Sequence, residues 1–393
     1  MLEILINGAN KSREISLLKN GKLIEYYVES EESIKKEGNI YIGTVKDIIK
    51  GMQAAFVDIG TEKNGFIHLK DILDKVDETK EKTPQKIEIN DVIKREQKLL
   101  VQVKKDSNLQ KGARVSTHIN LPSKYIALMP NTDIITISQK IEDKKEQERL
   151  IKLVKENLEK GNGAIIRTSA EGKEQEIIED IKNLEAKWKK ISKKFSEYNG
   201  NQPKLIEKSQ NIVEKMIVDL PENTIRRIIT NNEKDYKKLQ EFKKQNKYCS
   251  NIIIEYENNI DIIEKYNLKN EIEKLENRKI WLKCGGFITI DKTEALTAID
   301  VNTGKYTGKQ NVEQTVFKVN KEATIEIAKQ LRLRDIGGII IIDYIDMQDK
   351  NSKEKIEELL KENLKKDRTK TQVEGFTKLD LMEMTRKHIC SHQ

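Results

Sequence analysis

The residues best suited to catalysis or metal binding are two aspartates and an asparagine in the last third of the chain. Asp300 and Asn302 lie in the segment ALTAIDVN, and Asp343 lies in GIIIIDYIDM. Because side chains alternate between the two faces of a strand, Asp300 and Asn302 would point to the same side. Two carboxylates that meet repel each other unless a cation joins them, and oxygen ligands suit Mg²⁺ or Mn²⁺. A cation held there would orient a water molecule and stabilise charge on a phosphoryl oxygen.

A predicted β-α-β unit positions these residues. Both segments are apolar enough to form strands, and a right-handed crossover would make the strands parallel and adjacent. Asp300 and Asp343 should then converge at the carboxyl ends of the strands, where open α/β sheets bind ligands. An aspartate at a strand end is also a common turn or cap residue, and that alternative stays open at this point. The connecting segment carries apolar residues at helical spacing, namely Val312, Val316, Val319, Ala323, Ile327 and Leu331.

Three details of this unit are also predicted from the sequence. Asn311 and Gln314 predict a capping box at the start of the helix. The near-continuous apolar run before Asp343 predicts a strand that is buried on both faces. Asp346 would face away from Asp343 if the strand stayed regular, so we rank it below Asp300 and Asp343.

Residues 37–103 predict a second candidate site, on a small closed β-barrel. Short strand-like pieces punctuated by glycines are typical of such a barrel, and residues 74–91 are interpreted as a surface loop within it. Phe56 and Phe66 would stack on single-stranded bases if they are exposed, and a place in the barrel core is the alternative. His68 and Lys111 lie near the same surface, and His68 has no metal-ligand spacing to another histidine or cysteine.

A third candidate is the pair Arg167 and Thr168 in GAIIRTSAEGK, which offers a planar guanidinium and a hydroxyl to a phosphate. An ordinary exposed arginine beside a turn is the alternative interpretation. The flanking segments YIALMP and GAIIRTS predict strands. Further along, an apolar stripe from Ile177 to Phe195 predicts a helix packed on a core, and residues 263–282 predict a mostly helical segment.

The composition excludes several classes of protein. With 393 residues, 36% of them apolar and 35% charged, the chain is long enough for several domains with real cores. The net charge of +8 permits binding to polyanions. Three widely spaced cysteines argue against a disulfide scaffold and fit a reducing compartment. The sequence shows neither a signal-peptide pattern nor an apolar run of the roughly 18 residues that a membrane span needs, so we expect a cytoplasmic protein without a membrane span.

Over essentially its whole length, the chain resembles the ribonuclease E/G family of bacterial endoribonucleases. The resemblance is strongest in WLKCGGFITIDKTEALTAIDVNTG and in EQTVFKVNKEATIEIAKQLRLRDIGGIIIIDYIDM. The segment NIYIGTVKDIIKGMQAAFVDIGTEKNGFIHL resembles the family's S1 RNA-binding barrel, an OB-type fold, and YIALMP with GAIIRT resembles its 5′-sensor region. The resemblance implies a mixed α+β and α/β multidomain chain with an RNase H-like domain in two parts (1–35 and 214–276), an S1 barrel (36–118), a 5′-sensor region (119–213) and a DNase I-like catalytic domain (277–393).

The resemblance also implies roles for single residues. It makes Asp300 and Asp343 metal ligands and catalytic residues, with Asn302 assisting them. The remaining implied site residues are Phe56, Phe66 and Lys111 for RNA binding, Arg167 and Thr168 for a 5′-phosphate, and Ala127 for a backbone contact to that phosphate.

The implied activity is cleavage of single-stranded, A/U-rich RNA with Mg²⁺ or Mn²⁺, a preference for 5′-monophosphorylated ends, and a part in rRNA and tRNA processing and mRNA decay. Relatives carry a CPxC zinc-link motif that joins two protomers, whereas in HICSHQ Cys390 and His392 lie two residues apart and no CxxC is present. One cysteine and one histidine are too few for a closed zinc site, so we expect no zinc, and a homodimer stays open. Two other functions also stay open: a catalytically weak or inactive S1-containing RNA-binding factor, and a metal-dependent DNase or phosphodiesterase.

Overall fold

The computed structural model describes residues 1–9, 12–30, 35–72, 87–107, 111–304 and 312–390. The chain divides into two compact units. The first unit combines Met1–Ile34 with Ile212–Gln393, and the second unit, Lys35–Asn211, is inserted between those two segments in sequence. Within the described ranges, no helix has the length and apolar character needed to cross a membrane.

The helices and strands follow in chain order. The first segment holds β1 (Leu2–Ala9), β2 (Ser12–Lys19) and β3 (Lys22–Ser30). The inserted unit holds β4 (Ile40–Ile49), β5 (Ala54–Asp58), β6 (Gly65–His68), α1 (Ile89–Val92), β7 (Lys98–Lys105), β8 (Arg114–Ser116), β9 (Leu121–Pro122), β10 (Ile126–Pro130), β11 (Ile135–Ile137), α2 (Lys144–Asn157), β12 (Asn162–Ile166), α3 (Gln175–Ser196) and β13 (Lys204–Glu207). The last segment holds α4 (Ile212–Asp219), β14 (Ile225–Thr230), α5 (Glu233–Gln245), β15 (Ile253–Tyr256), α6 (Ile262–Lys265), α7 (Lys269–Glu273), β16 (Lys279–Trp281), β17 (Phe287–Lys292), β18 (Leu296–Asn302), α8 (Val312–Leu333), β19 (Gly338–Asp343), α9 (Lys350–Leu364), β20 (Thr371–Phe376) and β21 (Leu381–Arg386).

The inserted unit contains the predicted closed barrel. Strands β4, β5, β6, β8 and β7 pair in that order, and a further pairing of β4 with β7 closes the ring. Residues that alternate inward along the strands, such as Ala55, Val57 and Ile67, form its core. Most of the predicted loop lies outside the described residues, and its end forms the short helix α1. A four-stranded sheet, β11-β12-β10-β9, follows the barrel, and α3 buries Ile177, Ile181, Leu184 and Ile191 as its apolar stripe predicts.

The first unit contains two sheets. One has the order β15-β14-β1-β2-β3, in which β1, β2 and β3 are antiparallel and β1, β14 and β15 are parallel. The hairpin between β2 and β3 turns at Asn20 and Gly21, which both have the positive φ that this tight turn requires. The other sheet has the order β16-β17-β18-β19-β21-β20 and carries the predicted β-α-β unit as β18, α8 and β19.

Both α8 and α9 pack on the same face of the six-stranded sheet, where one apolar cluster includes Ile299, Ile340 and Ile342. The opposite face is open, and Ile339 on β19 is 52% exposed. The prediction that β19 is buried on both faces is therefore wrong, because no helix among the described residues covers its second face. An apolar run alone does not reveal how many layers cover a strand.

Three smaller predictions have different outcomes. Val312 is the first residue of the apolar stripe predicted for α8, but it is 76% exposed at the first position of the helix and does not belong to the core cluster. Asn311, the first residue of the predicted capping box, lies outside the described residues. The segment predicted as mostly helical holds only the short helices α6 and α7 and then the edge strand β16, which pairs with β17.

A buried ion network ties the end of the six-stranded sheet to the turn that follows α8. Arg386 on β21, whose side chain is 1% exposed, donates to Asp367 over 2.7 Å and to Asp335 over 2.8 Å. Asp335 also accepts the backbone N–H groups of Ile389 and Cys390. Cys390 is itself buried against the core of the five-stranded sheet. The network thus fixes the chain up to Cys390.

Replacing Arg386 by methionine should lower the free energy of unfolding by about 3–5 kcal/mol, because two buried carboxylates lose their common cation. Urea unfolding followed by circular dichroism measures this loss. The control is Lys237→Met, which breaks an exposed ion pair with Glu233 and should leave the unfolding midpoint unchanged. Equal midpoints for Arg386→Met and the wild-type protein would contradict the role of the network.

Candidate functional site

Asp300 and Asp343 lie side by side on the six-stranded sheet. Strands β18 and β19 are parallel neighbours, and Asp300 is the direct partner of Asp343 in their register. Both side chains are exposed on the open face, because Ile299 and Ile342 next to them turn into the core. The convergence expected from a right-handed crossover is therefore present, and it brings two carboxylates to the carboxyl ends of the parallel strands.

Asn302 lies on the same face, two residues beyond Asp300. Its side-chain Nδ2 donates to Oδ2 of Asp300 over 2.6 Å. An amide nitrogen carries two protons, so this bond orients the Asp300 carboxylate and leaves a second donor on Asn302. The predicted shared orientation of the two side chains is confirmed.

Repulsion between the two carboxylates is visible in the pKa of Asp343. Burial raises the pKa of Asp343, and the negative charges of Asp300 and Asp346 raise it further. The prediction that Asp346 faces away from Asp343 assumed a regular strand, but β19 ends at Asp343. Asp346 therefore adds a third negative charge to this neighbourhood, which alternation along a strand could not reveal.

Helix α8 holds the chain segment that follows Asp343. The fully buried amide of Asn320 donates to the carbonyl oxygen of Ile345 over 2.8 Å and accepts the N–H of Ile345 over 3.1 Å. One turn later, the Thr324 hydroxyl donates to the Asn320 carbonyl oxygen over 2.7 Å and forms a hydrogen bond with the hydroxyl of Tyr344, 2.9 Å away. Burial raises the pKa of Tyr344, so this phenol stays protonated. These bonds fix the backbone directly after Asp343.

The same helix also holds the turn that leads into β17. Glu322 accepts the backbone N–H groups of Lys283 and Cys284. Sequence reasoning missed Asn320, Thr324 and Glu322 as positioning residues. The available signal was the pair Asn320 and Thr324, spaced i and i+4 between the apolar residues of the core-facing stripe, where a polar side chain needs a partner.

The donor set around Asp300 and Asp343 fits Mg²⁺ better than zinc. Within the described ranges, no cluster of three or more histidine, cysteine, aspartate or glutamate side chains is arranged to hold a metal ion. Mg²⁺ does not need such a cage, because it binds through one or two carboxylates and retains several water molecules. A cation between the two carboxylates would also offset the repulsion that raises the pKa of Asp343.

The second candidate site lies on the outside of the barrel. Phe56 and Phe66 are direct partners on β5 and β6, and their rings form an edge-to-face pair with centroids 6.0 Å apart. Both are half-buried and lie outside the barrel core, so the alternative of core packing does not hold. His68 is used locally, because its Nδ1 accepts the N–H of Lys70.

Two basic residues flank this aromatic pair. Arg114 on β8 is the register partner of Phe66, and its guanidinium forms a bidentate pair with Asp71. Lys111 is exposed three residues earlier. The backbone between them passes so close to Asn64 that a Cβ on Gly112 would lie 1.9 Å from the Asn64 carbonyl oxygen. This close approach brings Lys111 next to the start of β6. Sequence reasoning missed Arg114, because only the parallel pairing of β6 with β8 reveals its position.

The third candidate site lies where β12 ends. Arg167 donates from Nη1 to the carbonyl oxygen of Ser123 over 2.9 Å, and the exposed Thr168 hydroxyl lies 3.0 Å from the hydroxyl of Ser138. The buried carboxylate of Asp180 underlies this region and accepts from Ser123 and from the N–H of Tyr125. The site therefore offers a guanidinium and two hydroxyls, of which Ser138 was not anticipated. Ala127 is buried on β10, the neighbour of β12.

Comparison with known proteins first defines the class of this chain. The model of the S1 RNA-binding domain matches residues 34–117, which confirms the prediction of an S1 domain in the barrel region. The chain therefore contains an RNA-binding module in its second unit and a sheet with a carboxylate pair in its first unit. A protein of this class acts on RNA.

The model of the ribonuclease E/G family matches residues 120–389. Ribonuclease G of Salmonella typhimurium (strain SL1344) and ribonuclease G of Escherichia coli (strain K12) are each 38% identical to the chain over 394 residues, covering 98% of this chain and 79% of theirs. A putative ribonuclease E of Buchnera aphidicola is 36% identical over 396 residues, covering 98% of this chain and 95% of its own. The chain belongs to the ribonuclease E/G family, a class of RNA-cleaving hydrolases.

Replacing Asp300 by asparagine should lower the pKa of Asp343, because the substitution removes a neighbouring negative charge without changing the shape of the side chain. A carboxyl whose pKa is raised by folding stabilises the fold at low pH, and that contribution is lost as the pH rises through its pKa. The same substitution should therefore stabilise the fold at neutral pH. Titration of the Asp343 carboxyl by carbon-13 NMR, with Asp380→Asn as an exposed control, measures the shift, and an unchanged pKa would contradict the pairing.

Proposed function

We propose that this protein is a Mg²⁺-dependent endoribonuclease that cuts single-stranded RNA at the Asp300–Asp343 pair, with Mn²⁺ as the alternative cation. The observation that carries the proposal is the register of β18 and β19, which brings two exposed carboxylates together at the carboxyl edge of an α/β sheet. Membership of the ribonuclease E/G family and the S1 domain support RNA as the substrate.

In the proposed mechanism, the carboxylates of Asp300 and Asp343 would hold the cation, and Asn302 orients the Asp300 carboxylate through its hydrogen bond. A cation held there would supply an activated water molecule and charge stabilisation at the scissile phosphoryl group. The second N–H of Asn302 is available to donate to a phosphate oxygen. Asn320 and Thr324 act as positioning residues, because they hold the backbone that follows Asp343. The products would carry 5′-phosphate and 3′-hydroxyl ends.

The proposed substrate is a single-stranded, A/U-rich RNA. It must be single-stranded because stacking needs bases that are not already paired. Phe56 and Phe66 offer ring faces on the barrel surface, and Lys111 and Arg114 supply positive charge beside them. RNA affinity should weaken with salt, since contacts between basic residues and phosphates release counterions. Arg167, Thr168 and Ser138 would bind a 5′-monophosphate, which gives the preference for that end.

The proposal extends to the domain layout and to the cellular role. Residues 1–35 with 214–276 would form the RNase H-like domain, 36–118 the S1 barrel, 119–213 the 5′-sensor region, and 277–393 the DNase I-like catalytic domain. The pairing of β1 with β14, and of β14 with β15, supports joining residues 1–35 with residues 214–276 in one domain. We further propose a role in rRNA and tRNA processing and in mRNA decay in the cytoplasm.

The proposal predicts that Asp300→Asn and Asp343→Asn each lower kcat by about 10³-fold. Each substitution removes a charged ligand of the cation, which would lower the activation free energy of cleavage by several kcal/mol. The measurement is cleavage of a 5′-monophosphorylated A/U-rich RNA with Mg²⁺, beside an EDTA sample. Asp380→Asn, an exposed aspartate in the turn between β20 and β21, is the matched control and should cleave normally.

Full cleavage by either variant would exclude the assignment of the carboxylates. Binding of RNA without any cleavage by the wild-type protein would favour the alternative of an S1-containing RNA-binding factor. A DNA oligonucleotide of the same base sequence tests the other rival, because a general phosphodiesterase would cut both polymers.

Arg167→Ala should abolish the preference for a 5′-monophosphate over a 5′-hydroxyl end. Hydrogen bonds to charged groups contribute about 1.5–3 kcal/mol, so the lost preference corresponds to about 10- to 100-fold in kcat/KM. The comparison uses two RNAs that differ only at the 5′ end. Lys152→Ala, which breaks an exposed pair with Glu156 on α2, is the control. An unchanged ratio in Arg167→Ala would remove the sensor from the proposal.

A further inference from the structure

The open face of the six-stranded sheet carries an exposed aromatic pair that no site described above uses. Trp281 on the edge strand β16 and Phe287 on β17 are register partners, and their rings meet edge to face with centroids 5.4 Å apart. Trp281 is 57% exposed. The alternating residues of the same strands, Ile280, Ile288 and Ile290, pack against the core on the other face. The aromatic pair is therefore not part of the core.

A lysine completes this cluster. The ammonium of Lys279 lies 4.2 Å from the ring centroid of Trp281 and 3.5 Å from that of Phe287. In the part of the chain that the structure describes, Lys279 has no carboxylate within ion-pair distance. Its charge is thus offered to solvent beside two aromatic rings, a combination that suits a stacked base and its phosphate.

Strand register connects the cluster to the carboxylate pair. Across the sheet, Trp281 is the partner of Phe287, and Phe287 is the partner of Asn302. In the next row, Lys279 is the partner of Thr289, which pairs with Asp300, the partner of Asp343. Register partners point to the same face, so both rows lie on the open side.

The distance between the cluster and the carboxylates matches a short stretch of nucleic acid. Strands in a sheet are about 4.8 Å apart, so β16 lies roughly 10 Å from β18. Phe287 is on the strand between them, directly beside Asn302. A base stacked on Trp281 or Phe287 would therefore belong to a nucleotide next to the phosphate at Asp300 and Asp343.

We propose that Lys279, Trp281 and Phe287 form a stacking platform that holds a base of single-stranded RNA beside the scissile phosphate. This inference rests on the proposed function and adds a binding site within the catalytic sheet. Because every base has a ring face, the platform would grip the strand without demanding one particular base. It positions the RNA and takes no part in the chemical step.

The platform has a definite kinetic consequence. Trp281→Ala should raise KM about tenfold or more and leave kcat within about threefold, because stacking acts in the bound and the transition state alike. Trp281→Phe should restore most of the affinity, since a ring face is kept. Tyr256→Ala, which removes another exposed aromatic residue of the same unit from β15, is the matched control and should behave as wild type.

Tryptophan fluorescence gives a direct test that does not depend on cleavage. The chain has two tryptophans, so Trp188→Phe leaves Trp281 as the only reporter. A fluorescently labelled, A/U-rich RNA is titrated into this variant in EDTA, with RNA anisotropy recording binding and Trp281 emission recording stacking. We expect quenching of the Trp281 emission that saturates together with the anisotropy.

The outcomes separate this inference from the proposed function. RNA binding with unchanged Trp281 emission would overturn the platform and leave the nuclease proposal intact. A failure to bind any RNA, together with no cleavage in Mg²⁺, would overturn both. A Trp281→Ala variant with wild-type KM would also overturn the platform, and its thermal melt would show whether the variant is folded.

Discussion

Asp300 and Asp343 are held together by a strand register that their own charges oppose. The register is set by apolar residues on the other side of the same strands, where Ile299, Ile340 and Ile342 pack under α8 and α9. A slip by one residue would turn these isoleucines to solvent and a carboxylate into the core. The free energy of apolar burial thus stabilises a site that electrostatics alone would push apart.

Helix α8 converts this register into a defined local geometry. Its core-facing side carries Asn320 and Thr324 among apolar neighbours, and both side chains hydrogen-bond to the segment after β19. On another side, Glu322 holds the turn before β17. Buried polar groups need partners, and here the partners are the segments that flank the carboxylates. One helix therefore limits the movement of both neighbouring loops.

The barrel and the six-stranded sheet both place their functional residues on strands that also form a core. In each, one set of alternating residues forms the core and the other set is left for function. Phe56 and Phe66 occupy the outward positions of the barrel, and Asp300, Asn302 and Phe287 occupy those of the sheet. Aromatic side chains at such positions lose apolar burial, which is a reason to look for a ligand that covers them.

Local patterns in the sequence were sufficient to predict how the residues of the carboxylate site come together. Alternation placed Asn302 on the side of Asp300, and the β-α-β pattern with its crossover rule predicted that Asp343 would join them. Tertiary structure alone decided that one face of β19 stays open, that the charge of Asp346 reaches Asp343, and that residues 279–281 form an edge strand rather than a helix. It likewise brought Arg114 to Phe66 through a parallel pairing. The physical reason is that periodicity reports which residues share a face, whereas the partner of that face depends on contacts between residues far apart in the chain.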